Sequence, residues 1–244
     1  MQTSPFMMAV MSNNVGFVRM HHEDKMVDVN AQDITGVSPL MLAVLHNNNN
    51  MEIMEMLLNN NRVDVNAQDS KGVSSLMIAI INNYVDAVAL LLKHELIDVN
   101  AVEERQYSAL LLATSGNDIH HEIVRMLIEN ERVNKNTCND VRNTPLLMCA
   151  INDRPQYIQQ LIDNGALVDT ANERGDTALT IAADKNYVTC VELLLKNGAN
   201  INHRCNNGCT ALIRATFHNF TECAKVLLKH DQIDVNVKEH NGEY

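Results

Sequence analysis

The sequence predicts an all-α repeat solenoid: about seven stacked helix-turn-helix units with β-hairpin fingers between them. Three observations carry this. A short box recurs along the chain, opening at Ser4, Ser38, Ser74, Ser108, Thr144, Thr177 and Thr210. Successive starts are 34, 36, 34, 36, 33 and 33 residues apart, and a fixed period of this size marks supersecondary units that stack on one another. After each box come a second apolar run and an extended tail, seen most plainly in Cys190, Val191, Leu194 and Leu195 followed by Asn200-Ile201-Asn202.

Each part of the unit has a physical reason. The opening Ser or Thr hydroxyl accepts a hydrogen bond from a free N–H of the first helical turn. Pro5, Pro39 and Pro145 follow it, at the one helical position where a missing N–H is harmless. Leu179, Ile181 and Ala182 and their counterparts form one helix face. Ala9, Ala43, Ala79, Ala113, Cys149, Ala182 and Ala215 recur at one position and let neighbouring helices approach closely. The second run has helical spacing. Gly198 stands where a helix ends in a left-handed residue. The finger follows, with Gly36, Gly72, Gly175 and Gly208 at its turn. One unit cannot bury its apolar face alone, so its neighbours must cover it.

Box and tail together resemble the ankyrin repeat. Thr144-Pro-Leu-Leu-Met-Cys-Ala150 and Ser38-Pro-Leu-Met-Leu-Ala-Val44 come nearest to that family's T-P-L-H-x-A box. Asp28-Val-Asn-Ala31, Asp64-Val-Asn-Ala67 and Asp98-Val-Asn-Ala101 are similar to its D-V-N-A tail. The resemblance covers nearly the whole chain. It implies one repeat domain over 1–244, with repeats at about 3–36, 37–72, 73–106, 107–142, 143–175, 176–208 and 209–242. It further implies a binding face of finger tips and first helices, and Val-Asn-Ala asparagines that an asparaginyl hydroxylase would accept. The family's box histidine is missing: Met7, Met41, Met77, Leu111, Leu147, Thr180 and Ile213 stand in its place. That points to a more apolar stack in which Met fills irregular gaps.

Composition narrows the function. A chain of 244 residues is long enough to bury about 70–75% of its extended surface. Its formal charge of -11 argues against DNA, RNA or an anionic membrane as the main partner, since these need a basic footprint. No apolar run approaches the roughly 20 residues of a membrane-spanning helix. The N-terminus lacks a basic start and a continuous apolar stretch, so no secretory signal is expected. All six cysteines lie at or after Cys138 and follow repeat positions rather than a disulfide framework. A reducing, intracellular compartment is the simpler reading, cytoplasmic with the nucleus as the alternative.

Departures from the unit carry their own expectations. Repeat one has His21-His22 where others have leucines, which reads as a polar end repeat; adjacent residues do not share a helix face, so a metal pair is disfavoured. Extra residues fall between the helices of repeats two and four, around Asn47–Asn50 and Asn117–His121. The connection after helix two is one residue longer in repeats one, two, three, four and seven, and lacks glycine there; the extra residue is expected to remove the need for a left-handed turn. Gln106 and Arg142 replace the turn glycine of two fingers, for which irregular fingers are expected. The chain stops at the opening of a further box, so it reads as a fragment or a domain that continues.

No catalytic constellation is present. His120-His121-Glu122 lacks the two-histidine i, i+4 spacing of a zinc protease, and the nine glycines are scattered at turns. His203, Cys205 and Cys209 are too loosely spaced for a structural zinc site, which needs four converging ligands. No enzyme activity, cofactor or metal is expected.

Two positions per repeat should instead meet a partner: the residue before the box and the last residue of helix one. In repeats two to four these read Val37, Leu45, Val73, Ile81 and Tyr107, an apolar cluster on a surface expected to be wet; further on, Arg174, Asp176, Asp184 and Lys185 make it charged. Such patches usually mark interaction sites, though packing under neighbouring fingers is the alternative. The expected function is a monomeric, non-catalytic scaffold that binds a protein or peptide, apolar and basic-flanked, on this face. The alternative is a regulatory or targeting arm of a larger enzyme, channel or effector.

Overall fold

The structure is a computed structural model that describes residues 3–46, 51–116 and 121–238. The expected inserts near 47–50 and 117–120 and the last finger beyond 238 lie outside the described residues. Fourteen helices are present among those described, in seven consecutive pairs. Two compact units divide the chain, 1–133 and 134–244.

The first unit holds α1 (Pro5–Met11), α2 (Val15–His21), α3 (Pro39–Leu45), α4 (Glu52–Leu58), α5 (Ser75–Ile81), α6 (Val85–Lys93), α7 (Ala109–Ser115) and α8 (His121–Glu129). The second holds α9 (Pro145–Ile151), α10 (Pro155–Asp163), α11 (Ala178–Asp184), α12 (Val188–Lys196), α13 (Ala211–Phe217) and α14 (Thr221–Leu228). Within each unit the odd-numbered helices pack on one another, as α1, α3, α5 and α7 do, and even-numbered helices form a second layer, as α10, α12 and α14 do.

All seven box hydroxyls cap their helices. Ser4, Ser38, Ser74, Ser108, Thr144, Thr177 and Thr210 each accept from the backbone N–H three residues on, at 3.2–3.4 Å. Six of the seven residues in the place of the box histidine are core, as expected: Met7, Met41, Met77, Leu111, Leu147 and Thr180 are buried, whereas Ile213 is half-buried. Helix one ends in a six-residue turn whose C′ residue is left-handed: Asn13, Asn83, Asp153, Asn186 and Asn219 have φ between 50° and 64°. The next N–H reaches back to the recurring small residue, as Tyr84 does to Ala79 O at 2.9 Å and Tyr187 to Ala182 O at 2.9 Å. Asn and Asp tolerate this conformation better than other side chains.

The long connections after helix two behave as the sequence implies. Gly165 and Gly198, in the short form, have φ of 93° and 80°. The long forms instead close ordinary turns, for example Val63 N–H to Asn60 O at 3.0 Å and Ile97 N–H to His94 O at 3.2 Å, and none of their non-glycine residues has a positive φ.

The fingers differ from expectation in two ways. They contain no strands among the described residues; each is a tight turn closed by a rung such as Asp33 N–H to Val37 O at 3.2 Å with Gly36 N–H to Asp33 O at 3.0 Å, and two of them add an isolated antiparallel bridge, Gln68 to Ser74 and Val102 to Ser108. The fingers at Gln106 and Arg142 are also regular. These residues take φ of 63° and 62° and occupy the same left-handed position as the glycines. The rungs Glu103 N–H to Tyr107 O and Asn139 N–H to Asn143 O are intact at 3.2 and 3.1 Å. The first residue of the finger enforces the turn whatever sits at the glycine position: the Asp69 carboxylate accepts from Lys71 and Val73 N–H, and Glu103 accepts from Arg105 and Tyr107 N–H.

Tail asparagines tie one repeat to the next. Asn66 donates to Leu96 O at 2.8 Å and accepts from Asp98 N–H at 2.7 Å. Asn30, Asn136 and Asn202 do the same to their next repeats. The asparagine amide fills this place with both a donor and an acceptor.

Candidate protein-binding site

In the first unit, a groove of about 560 Å³ opens between two fingers and the helices behind them. Val73, Ile81, Tyr107 and Leu112 supply its apolar lining, with Lys71, Glu103, Glu104 and Arg105 beside them. Local structure explains the placement. The carboxylates of Asp69 and Glu103 hold the backbone N–H groups of Val73 and Tyr107, which fixes both residues at the finger base. Ile81 is the last residue of α5, and the left-handed turn at Asn83 follows. It therefore projects past the packed part of the helix and is 60% exposed, a costly state for a large aliphatic side chain in water.

Three of the five apolar residues singled out in the sequence thus meet in one groove. Val37 is half-buried and Leu45 is 40% exposed, and neither lines it. Sequence reasoning missed Leu112, which is one turn into its helix and half-buried, and the four charged neighbours. The charges sit on fingers whose residues vary from repeat to repeat, so spacing alone does not mark them.

The charged half of the expected surface lies in the second unit and is arranged differently. Arg174 is exposed, and its backbone N–H donates to Asn172 Oδ1 at 2.9 Å. Asp176 was expected to face solvent and is buried, at 6% exposed. Its carboxylate pairs with the Arg214 guanidinium. Burial pushes the Asp176 carboxyl above its usual range, against the opposing pull of Arg214. Asp184 is half-buried and approaches both Arg214, at 3.6 Å, and His218, at 3.4 Å. A second hollow of about 320 Å³ adjoins this cluster, with Cys209, Phe217 and His218 among its walls.

Arg214 was legible in the sequence and was overlooked. It occupies the helix position that is Leu42, Ile78, Leu112, Met148 and Ile181 in other repeats. A charged residue at an otherwise apolar position calls for a buried partner, and Asp176 is that partner.

Among the described residues no three His, Cys, Asp or Glu side chains converge on a metal position. His203 turns its ring nitrogen to Gly175 O at 2.8 Å, while Cys205 faces its own finger. His21 packs on Phe17, with ring centroids 4.5 Å apart, and the His22 ring contacts Val18 O. Burial drives the thiols of Cys149 and Cys190 up to about 12, which leaves them inert at neutral pH. No described helix is long and apolar enough to cross a membrane.

Comparison with known proteins agrees with this architecture. No curated protein matches the sequence. Among solved structures, the crystal structure of the ankyrin repeat domain of Bcl-3, a unique member of the IkappaB protein family, superposes with a TM-score of 0.80. The match covers 94% of this chain and 99% of that one at 20% identity, a likeness of fold. The family model for ankyrin repeats (3 copies) matches residues 6–103, 94–172 and 155–239. Box, paired helices, capped fingers and asparagine ties therefore belong together: the chain is a member of the ankyrin-repeat family.

Proposed function

We propose that this chain is a non-catalytic scaffold that takes a protein or peptide partner into the groove of Val73, Ile81, Tyr107 and Leu112. Ankyrin repeats are generally protein–protein interaction domains, and such domains are typically non-catalytic. The observation that carries the finer reading is Ile81, 60% exposed between two half-buried apolar residues in a preformed hollow. An apolar side chain entering there covers Ile81 and gains roughly 1–2 kcal/mol from it alone. Association costs about 4–15 kcal/mol before affinity appears, so finger contacts from Lys71, Glu104 and Arg105 must add to the anchor. The chain's acidity favours a partner whose apolar anchor is flanked by basic residues. Arg174 and Asp184 are proposed as further partner contacts within the second unit, where Asp176 contributes by holding Arg214. The division into seven repeats of one domain, a monomeric state and an intracellular, cytoplasmic setting complete the reading.

The test is an affinity capture from the source cell's lysate with wild type and an Ile81→Asp/Tyr107→Asp variant side by side, bound proteins being identified by mass spectrometry. A protein held by wild type alone is the expected result. Equal capture by a folded variant would remove the groove from the account.

A further inference from the structure

We propose that a further hollow of the second unit receives an acidic peptide segment, whose carboxylates pair with Arg142 and Arg204. The hollow measures about 740 Å³ and has Arg142, Ala171, Glu173, His203 and Arg204 among its walls. It is separate from the groove of Val73, Ile81, Tyr107 and Leu112 and takes a partner of the opposite charge.

One small residue leaves this space open. In three fingers the residue four before the left-handed turn position is an arm that ties two fingers together. Gln32 donates to Gly36 O of its own finger at 2.8 Å and to Gln68 O of the next at 3.1 Å. Gln68 does the same to Gly72 O and Val102 O, and Arg204 to Gly208 O and Lys238 O. Ala171 stands at this place four before Gly175 and has no such arm. His203 of the next repeat serves one end of the gap: its Nε2 lies 2.8 Å from Gly175 O, and a carbonyl only accepts, so that nitrogen carries the proton. The rest of the volume that an arm would fill remains as the hollow.

Its charge selects the occupant. The two carbonyls fix the Arg204 guanidinium without neutralising it. Arg142 is exposed, and its guanidinium has no hydrogen bond or ion pair among the described residues. Glu173 is the one carboxylate among the described walls. Two guanidinium groups against one carboxylate leave a single positive charge in excess, which matches a carboxylate better than a doubly charged phosphate. The planar arginine fork also fits carboxylate geometry. The wider field agrees. Residues 1–133 carry 8 Lys and Arg against 17 Asp and Glu, whereas residues 134–244 carry 11 against 13. An acidic segment therefore meets far less repulsion at the second unit than at the first.

Fluorescence anisotropy with a labelled hexaglutamate peptide at low salt tests the site on the full chain. The peptide should bind, and added sodium chloride should weaken the complex. Arg142→Gly removes a guanidinium yet installs the residue that Gly36, Gly72, Gly175 and Gly208 supply at the same left-handed position, so the turn keeps its conformation. It should lower affinity about tenfold with no loss of Tm, and Glu173→Gln should raise affinity severalfold. Arg125→Glu reverses an exposed charge in the other unit and should leave binding unchanged. No binding at about 1 mM peptide, equal affinity of wild type and Arg142→Gly, or as large a loss in Arg125→Glu as in Arg142→Gly would each overturn the proposal. So would displacement of the peptide by inorganic phosphate but not by acetate at matched ionic strength.

Discussion

Asp169 stands where Asn30, Asn66, Asn136 and Asn202 stand in other repeats, and exchanging it tests what ties the repeats together. Asn136 donates to Gly165 O at 3.0 Å and accepts from Leu167 N–H at 2.8 Å. Asp169 accepts from Asn200 N–H at 2.9 Å, and its carboxylate has no proton to give the carbonyl two residues earlier, at Gly198. Asp169→Asn supplies that donor. One added hydrogen bond contributes about 0.5–1.5 kcal/mol net, with the lower half of that range expected at an exposed site. For a chain of this size each kcal/mol moves the melting temperature by about 2–4 °C. Asp169→Asn should therefore raise Tm by roughly 1–4 °C, and Asn136→Asp should lower it by a similar amount. Differential scanning calorimetry at neutral pH and moderate salt reads both. Neutral results for the pair, or shifts of the same sign, would refute the two-sided role assigned to the asparagine amide.

Other expectations follow from particular contacts. Gly175→Ala should destabilise more than Gly165→Ala in urea titrations. Both have positive φ, which costs about 1–2 kcal/mol for a residue with a Cβ, but a Cβ at Gly175 would lie 2.5 Å from Asn206 Oδ1 and 2.8 Å from its backbone nitrogen, while nothing lies within 4 Å at Gly165; equal costs would contradict the close approach of the fingers. A thiol reagent at pH 8 should react at once with the exposed Cys138 and reach Cys149 and Cys190 only on unfolding, because a thiol at about 12 is ionised to only about one part in 10⁴; rapid reaction of either in the folded chain would be the contrary result. Burial raises the Asp176 carboxyl above 3.8, so its proton-linked contribution to stability is full below that value and is lost as pH rises through the folded-state value. Wild type should accordingly gain stability relative to Asp176→Asn as pH falls across that window in parallel denaturation curves, and a gap that moves the other way would reverse the assigned sign.

How much was legible in the sequence follows from what repeats and what does not. The period, the seven hydroxyl caps and the buried Met7, Met41 and Met77 were readable because the same local physics recurs at a fixed spacing. The glycine-free long connections were readable for the same reason, since chain length compensates a conformational requirement. The regular fingers at Gln106 and Arg142 were not: the turn is enforced by Glu103 and Asn139, three residues earlier, so the missing glycine misled. Asp176 was misplaced because its partner, Arg214, lies a whole repeat away at a distance of 38 residues in sequence. The asparagine ties were visible as a motif without their role, because a side-chain bridge to the next repeat needs coordinates. Of the apolar cluster, Val73, Ile81 and Tyr107 converged, and Leu112 joined them from the helix position of Ile181, which its spacing assigns to the packed face.

The groove is the centre of the functional account, and a calorimetric titration of the captured partner tests it most directly. Wild type, Ile81→Asp and Leu167→Asp would be compared. Leu167 is as exposed as Ile81, at 62%, and belongs to the other unit, so it controls for a charge placed on any exposed apolar residue. Both substitutions should leave stability within about 0.5 kcal/mol. The account predicts that Ile81→Asp raises Kd by about thirtyfold or more, the size of a hot-spot loss of about 2 kcal/mol, with Leu167→Asp unchanged. An unchanged Kd for Ile81→Asp, in a folded variant, would contradict it.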